Sequence, residues 1–165
     1  MITTLVALAA TCALSLAFIL AIPPFAPTKL FMRFLPRDVR EAAKHHPDPP
    51  AGRQVVGFLI TGAALAAFVG VLVFLGGDGL RRGYGFRWMY GRYLLFMVGY
   101  KVFDIVVQDQ YIVIRRKYYI RFFPETRDCA SWNDYSFNKK NQMIRLVAFP
   151  FLCALMAWIA LRPGA

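Results

Sequence analysis

Four apolar stretches, separated by charged ones, organise this chain. Ile2–Ile22 is 21 positions without a charge, and Val55–Gly76 is 22 more. At about 1.5 Å per residue in a helix, each run covers the ~30 Å hydrocarbon core of a bilayer. Leu146–Leu161 is a shorter run of 16 held between Arg145 and Arg162, whose long side chains can reach the interface at each end. Pro150 is expected in the first turns of that helix, where a missing backbone donor costs least. The fourth stretch, Trp88–Val107, is aromatic and aliphatic but carries Arg92, Lys101 and Asp104. It reads as a span packed against protein on one side, with Trp88, Tyr90 and Tyr93 as an interfacial aromatic belt. The pattern predicts one all-α integral membrane domain over 1–165, a four-helix transmembrane bundle with spans at about 2–22, 55–76, 88–107 and 146–161. The first run lacks a positively charged leading region and exceeds the 7–15 apolar residues of a signal peptide, so it reads as a true span.

The connectors differ in character. Residues 23–54 hold seven prolines, and between two Pro-rich stretches lies an amphipathic candidate from Phe31 to Lys44. It sets Phe31, Phe34, Leu35 and Val39 opposite Arg37, Arg40 and Lys44, the pattern of an interfacial helix on an anionic leaflet. Residues 108–145 begin with Tyr111–Phe123, which interleaves aromatics with Arg115, Arg116, Lys117 and Arg121. That segment is either a continuation of the third span ended by Pro124 or a β-rich or in-plane segment, since β-branched and aromatic residues dominate it. Small residues recur at four-residue spacing in the first two spans: Ala7, Thr11 and Ser15; Ala13, Ala17 and Ala21; Ala63 and Ala67; Ala66 and Gly70. Such stripes let helices approach closely in lipid, within one bundle or toward a homo-oligomer or membrane-protein partner.

Composition agrees with the hydropathy pattern. Hydrophobic residues make up 58% and charged residues 18%, against about 45–50% and 25% in a soluble domain, with mean hydropathy +0.46. The net charge of +11 would point to nucleic acid in a soluble protein; here its distribution points to lipid. Fourteen Lys and Arg lie in the two long connectors, and five lie on the other side. The positive-inside rule then puts loops 23–54 and 108–145 in the cytosol and both termini outside. Beside a membrane, Arg115, Arg116, Lys117, Arg121, Lys139 and Lys140 read as contacts to anionic headgroups rather than as a nucleic-acid surface.

Lys101 and Asp104 lie three apart on one helix, so they share a face. A charge in hydrocarbon is costly unless paired, which makes them the leading candidates for a ligand- or ion-binding site in the spans. Asp109, Glu125, Asp134 and Asn138 continue a polar series that could bind a cation at the membrane surface, but their spacing follows no metal-loop pattern. No metal site and no cofactor is expected. His45 and His46 read as solvated loop residues, and Cys129, outside any electropositive niche, as unreactive. Three cysteines and no C-x-x-C pair give neither a disulfide framework nor a zinc site. There is no P-loop, GxGxxG, G-x-S-x-G or HExxH, and no catalytic residue is assigned.

Asp104 and Asp109, then Pro124-Glu125-Thr126, then Trp132 to Lys140 form a series that resembles a group of uncharacterised small bacterial integral membrane proteins with four helices. Those carry two acidic residues ending the third span, a Pro-Gly-Thr-Glu-like turn, and a Tyr-x-Asp-Tyr-x-Phe-His-x-Lys-like segment. Glu125 stands here where the group has Gly, and Asn138 where it has His. The resemblance covers about a quarter of the chain and implies a bacterial inner membrane and four spans; it brings no activity.

The leading expectation is a non-catalytic accessory or scaffold component that holds lipid at the cytosolic face. The alternatives are a small oligomeric transporter or channel using Lys101 and Asp104, and a membrane enzyme acting on a lipid or isoprenoid through acidic residues from Asp104 to Asp134.

Overall fold

In a computed structural model the apolar runs are helices, and the described residues contain no strand. The structure describes residues 1–33, 35–134, 136 and 139–162, without the side chain of residue 140. The α-helices are α1 (Ile2–Ala21), α2 (Thr28–Met32), α3 (Arg37–Ala42), α4 (Ala51–Arg81), α5 (Phe86–Phe103) and α6 (Lys139–Ala160). Three segments are long and apolar enough to cross a membrane: Ile2–Ala21, Ala51–Arg81 and Asn141–Ala160. They leave large apolar side chains bare, with Ile2 80% and Phe151 76% exposed. Exposed apolar surface on this scale marks a membrane or protein-interaction surface.

Two helices extend further than the hydropathy pattern predicts. α4 has 31 residues, about 46 Å, because Gly77, Asp78, Gly79 and Leu80 continue it beyond the apolar run. α6 begins at Lys139, so Pro150 lies inside the helix and not in its first turns. In lipid such a proline is tolerated because neighbouring groups satisfy the carbonyl it frees. α5 holds buried charge among its apolar residues and is not among the three apolar spans.

The chain divides into two units. Unit one comprises residues 1–14, 65–104 and 138–165. Its core is Leu75, Met89, Tyr93, Phe96, Met97, Cys153 and Ala157, where α5 packs along α6. Tyr93, read from sequence as part of an interfacial belt, is buried and donates its hydroxyl to the Leu72 carbonyl at 3.2 Å. Two glycines set the helix spacing: a Cβ at Gly76 would lie 2.7 Å from the Tyr93 hydroxyl, and one at Gly99 2.7 Å from Leu8.

Unit two comprises residues 15–64 and 105–137. After α5 the helix widens to π geometry over Asp104–Arg115, where Arg116 N donates to the carbonyl of Tyr111, five residues back, at 2.8 Å. This stretch carries Ile105, Val106, Val107, Ile112, Val113 and Ile114, whose branched side chains crowd the preceding turn of an α-helix. Lys117 then takes a left-handed conformation (φ 49°), which ends the helix. Tyr111–Phe123 is therefore neither one continuous helix to Pro124 nor a strand: short 3₁₀ turns follow at Tyr118–Arg121, Pro124–Thr126 and Ala130–Asn133.

The expected interfacial helix Phe31–Lys44 is two short helices divided before Pro36, since a residue preceding proline is driven out of helical geometry. Its apolar face is covered by protein rather than lipid. Met32, Leu35, Val39 and Ala43 form one core with Val113, Ile114, Tyr119, Phe123 and Trp132. Phe34, assigned to the same face, lies outside the described residues.

Candidate functional site

Most of the charge embedded among the helices is paired, and the sequence reading found only half of it. Lys101, 3% exposed, donates to Asp104 Oδ2 at 2.5 Å, one turn further on. The expected pair forms, and the lysine is its deeper member.

The second pairing in unit one was not expected. Arg92, in the first turns of α5, is 1% exposed. Its Nη2 pairs with Asp78 on α4, its Nε donates to the Thr4 hydroxyl on α1 at 2.8 Å, and its guanidinium lies 5.7 Å from the centre of the Tyr84 ring. Asp78 also accepts from Arg82 Nε at 3.0 Å, and Arg82 reaches the Thr3 hydroxyl at 3.4 Å. Arg92 thus ties three helices together, while its Nη1 is buried without a hydrogen-bond partner. The hydropathy pattern ends the second span at Gly76, short of Asp78, and places Arg92 in the fourth stretch without a partner. The usable signal was the short Gly83–Gly85 turn, which folds α5 back beside the end of α4.

In unit two the acidic candidates take separate partners. Glu125 pairs with His46 Nδ1 at 2.8 Å, and the His46 ring packs edge-on to Phe123. His46, read as solvated, therefore fastens the first connector to the second; His45 is exposed. Asp134 accepts from the Ser136 amide and hydroxyl, which lowers its carboxyl pKa. Asp109 adds to the rise in the Tyr119 hydroxyl pKa, behind the larger effect of burial. Asn138 lies outside the described residues. Among the described residues no three His, Cys, Asp or Glu side chains come close enough to hold a metal ion.

Asp38 and Asp48, not singled out from the sequence, hold this unit together. Asp38 accepts from the Val39 amide at 2.8 Å and the Ser131 amide at 3.0 Å. Burial raises its carboxyl pKa, but hydrogen bonds from Ser131 and Val39 outweigh it, and the net shift is downward. Asp48 accepts from the Thr28 amide at 2.8 Å. Cys129 is half-buried; burial, then Asp38 and Asp128, push its thiol pKa up, away from the reactive thiolate.

The basic candidates of unit two lie on its surface. Arg115 and Arg116 are exposed, with guanidiniums 6.0 and 5.3 Å from the centre of the Tyr111 ring, and Arg116 Nε also donates to the Tyr111 hydroxyl at 3.1 Å. Arg121 lies 5.9 Å from the Tyr118 ring, whose hydroxyl donates to the Leu20 carbonyl at the end of α1. None of the three pairs with a carboxylate among the described residues. Lys117 is half-buried in its left-handed turn. In unit one Lys139 is exposed at the start of α6, and the side chain of Lys140 lies outside the description.

Comparison of the chain with protein-family models, with curated proteins and with solved structures finds no match. What the chain does therefore has to be argued from its own geometry.

Proposed function

We propose that this chain is a four-span protein of a bacterial inner membrane that holds anionic lipid at a basic, aromatic cytosolic face and serves there as a non-catalytic accessory or scaffold component. The observation that carries this reading is the set of guanidiniums of Arg115, Arg116 and Arg121, each beside a tyrosine ring and, among the described residues, paired with no carboxylate. A tyrosine fixes the guanidinium without neutralising it, so the charge remains available to a phosphate. Each such residue contributes about 1 kcal/mol toward an anionic surface.

Two features support α5 as the fourth span. Within unit one it advances in parallel with α1, Arg92 beside Thr4 and Gly99 beside Leu8. Within unit two the same order recurs, Gln108 bonded to Ser15 and Tyr118 to Leu20. Beyond Arg87, which is exposed in its first turn, its charged residues Arg92 and Lys101 are buried, so lipid need not solvate them.

The test is lipid selectivity measured by electron spin resonance with spin-labelled lipids in proteoliposomes. The wild type should prefer phosphatidylglycerol over phosphatidylcholine. Arg115→Gln/Arg116→Gln/Arg121→Gln should remove most of that preference and weaken its dependence on salt. Equal selectivity in the two proteins refutes the reading.

A second reading, a small oligomeric transporter or channel, draws on the ion pair of Lys101 and Asp104. Under it, Asp104→Asn abolishes flux in proteoliposomes while the fold survives. Under the first reading the same change lowers stability, and a membrane-protein partner or a second copy co-purifies in mild detergent. Gly62, Ala66 and Gly70, exposed along α4, suit such a partner.

A further inference from the structure

Beyond the basic face, unit one has a groove that no side chain fills. It has a volume of 460 Å³ and is lined by Leu72, Val73 and Gly76 of α4, Tyr93 of α5, and Met156 and Ile159 of α6. That volume lies in the range of small-ligand pockets. The groove exists because of two glycines. Gly76 lets the Tyr93 hydroxyl come close, and Gly77 leaves the adjacent space open, with nothing within 4 Å of where its Cβ would stand. Its walls are almost wholly apolar, the one hydroxyl being donated to the Leu72 carbonyl.

Charge gathers at the end of the groove. It follows the last turns of α4 and α6, and the next residues are Arg81 and Arg82 on one side and Arg162 on the other. Arg162 lies over the Trp158 ring at 3.6 Å and is exposed. The nearby carboxylate, Asp78, is occupied by Arg92 and Arg82. Arg81 and Arg162, which follow the groove's last lining residues on α4 and α6, pair with no carboxylate among the described residues.

We infer that the groove is a binding site for an anionic phospholipid, one acyl chain lying along Leu72, Val73 and Ile159 and the phosphate meeting Arg81 and Arg162. The apolar walls suit hydrocarbon, and Trp158 and Arg162 suit the level of the headgroup. A second copy of the chain is a poor occupant. A two-fold contact through this groove would bring Arg81 and Arg162 against their own counterparts. The inference rests on the chain lying in a membrane but not on the lipid contacts of Arg115, Arg116 and Arg121, which belong to unit two.

The experiment is native mass spectrometry of the full chain released from nanodiscs of phosphatidylglycerol and phosphatidylethanolamine. The wild type should keep one phosphatidylglycerol after detergent is stripped. Gly77→Phe, which fills the slot, should reduce that adduct at least tenfold with the circular dichroism spectrum unchanged. Val73→Phe serves if Gly77→Phe does not fold. Arg81→Gln/Arg162→Gln should keep a lipid but lose the preference for phosphatidylglycerol. The Arg115→Gln/Arg116→Gln/Arg121→Gln variant should keep the adduct, which separates this site from the basic face. An adduct that survives both filling variants, equal retention of the two lipids by the wild type, or a dimer that Gly77→Phe dissociates each overturns the inference.

Discussion

Arg92 offers the sharpest stability prediction because its environment is asymmetric. The guanidinium is 1% exposed, while the side chain of its partner Asp78 is 18% exposed and has a second cation in Arg82. Removing one member of a buried pair costs about 3–5 kcal/mol when the other is left uncompensated. Arg92→Met does not leave that situation, since Asp78 keeps Arg82. What is lost is the ion pair with Asp78, the hydrogen bond to the Thr4 hydroxyl and the contact with Tyr84, and burial of a guanidinium is relieved. A net loss of about 1–3 kcal/mol follows from a charged hydrogen bond and a cation–π contact. Asp78→Asn is the more damaging change, because it strands Arg92, whose Nη1 already lacks a partner. The double variant should be less destabilised than Asp78→Asn alone, since nothing charged is then left buried at this place. Equilibrium unfolding by sodium dodecyl sulfate in mixed micelles, followed by circular dichroism, gives the four stabilities of the cycle. If Asp78→Asn proves milder than Arg92→Met, or the two losses simply add, the reasoning about the stranded guanidinium is wrong.

Other consequences are open to the same kind of measurement. Trp132→Phe keeps an apolar ring in the core but removes the indole hydrogen bond to the Thr126 carbonyl (2.7 Å), which retains the Cys129 amide at 3.1 Å, and should cost about 0.5–1.5 kcal/mol in thermal unfolding. Because the folded state lowers the Asp38 carboxyl pKa, its contribution to stability is present above the unfolded value of about 3.9 and is lost as pH falls through the lower folded value. Asp38→Ala should flatten that acid limb, and an unchanged limb would contradict the assignment. Cys129 should react with a maleimide at pH 7 more slowly than a free cysteine peptide, and faster labelling would show that the thiol is not held up by burial and the neighbouring carboxylates.

Hydropathy made the three apolar helices legible because uncharged runs of 21, 22 and 16 residues admit few other structures. The ends were not legible. Asp78 is polar by type yet helical, since its charge is taken up by two arginines, one of which arrives from a helix that sequence pattern treats independently. The same physics hid the partner of His46: Glu125 lies 79 positions away, and only the folding of two connectors on one core brings them within 2.8 Å. Lys101 and Asp104 were found because their pairing is local, three residues along one helix. Amphipathicity from Phe31 to Lys44 reads as an interfacial helix on an anionic leaflet, but the pattern says only that a face is covered and not what covers it. Protein covers it here, and Pro36 divides the helix. The small-residue spacing was equally silent on which side faces protein: Gly57 packs on Phe25, whereas Gly62 and Gly70 are open.

The claim on which the account depends is that α5 crosses the membrane, so that the chain passes it an even number of times. Reporters fused after Arg127 and after Arg162 test it most directly, one active only in the cytosol and one only outside. The account predicts a cytosolic signal from the first position and an outside signal at the second, together with an outside signal at Met1. Met1 and Arg162 on opposite sides of the membrane would contradict it.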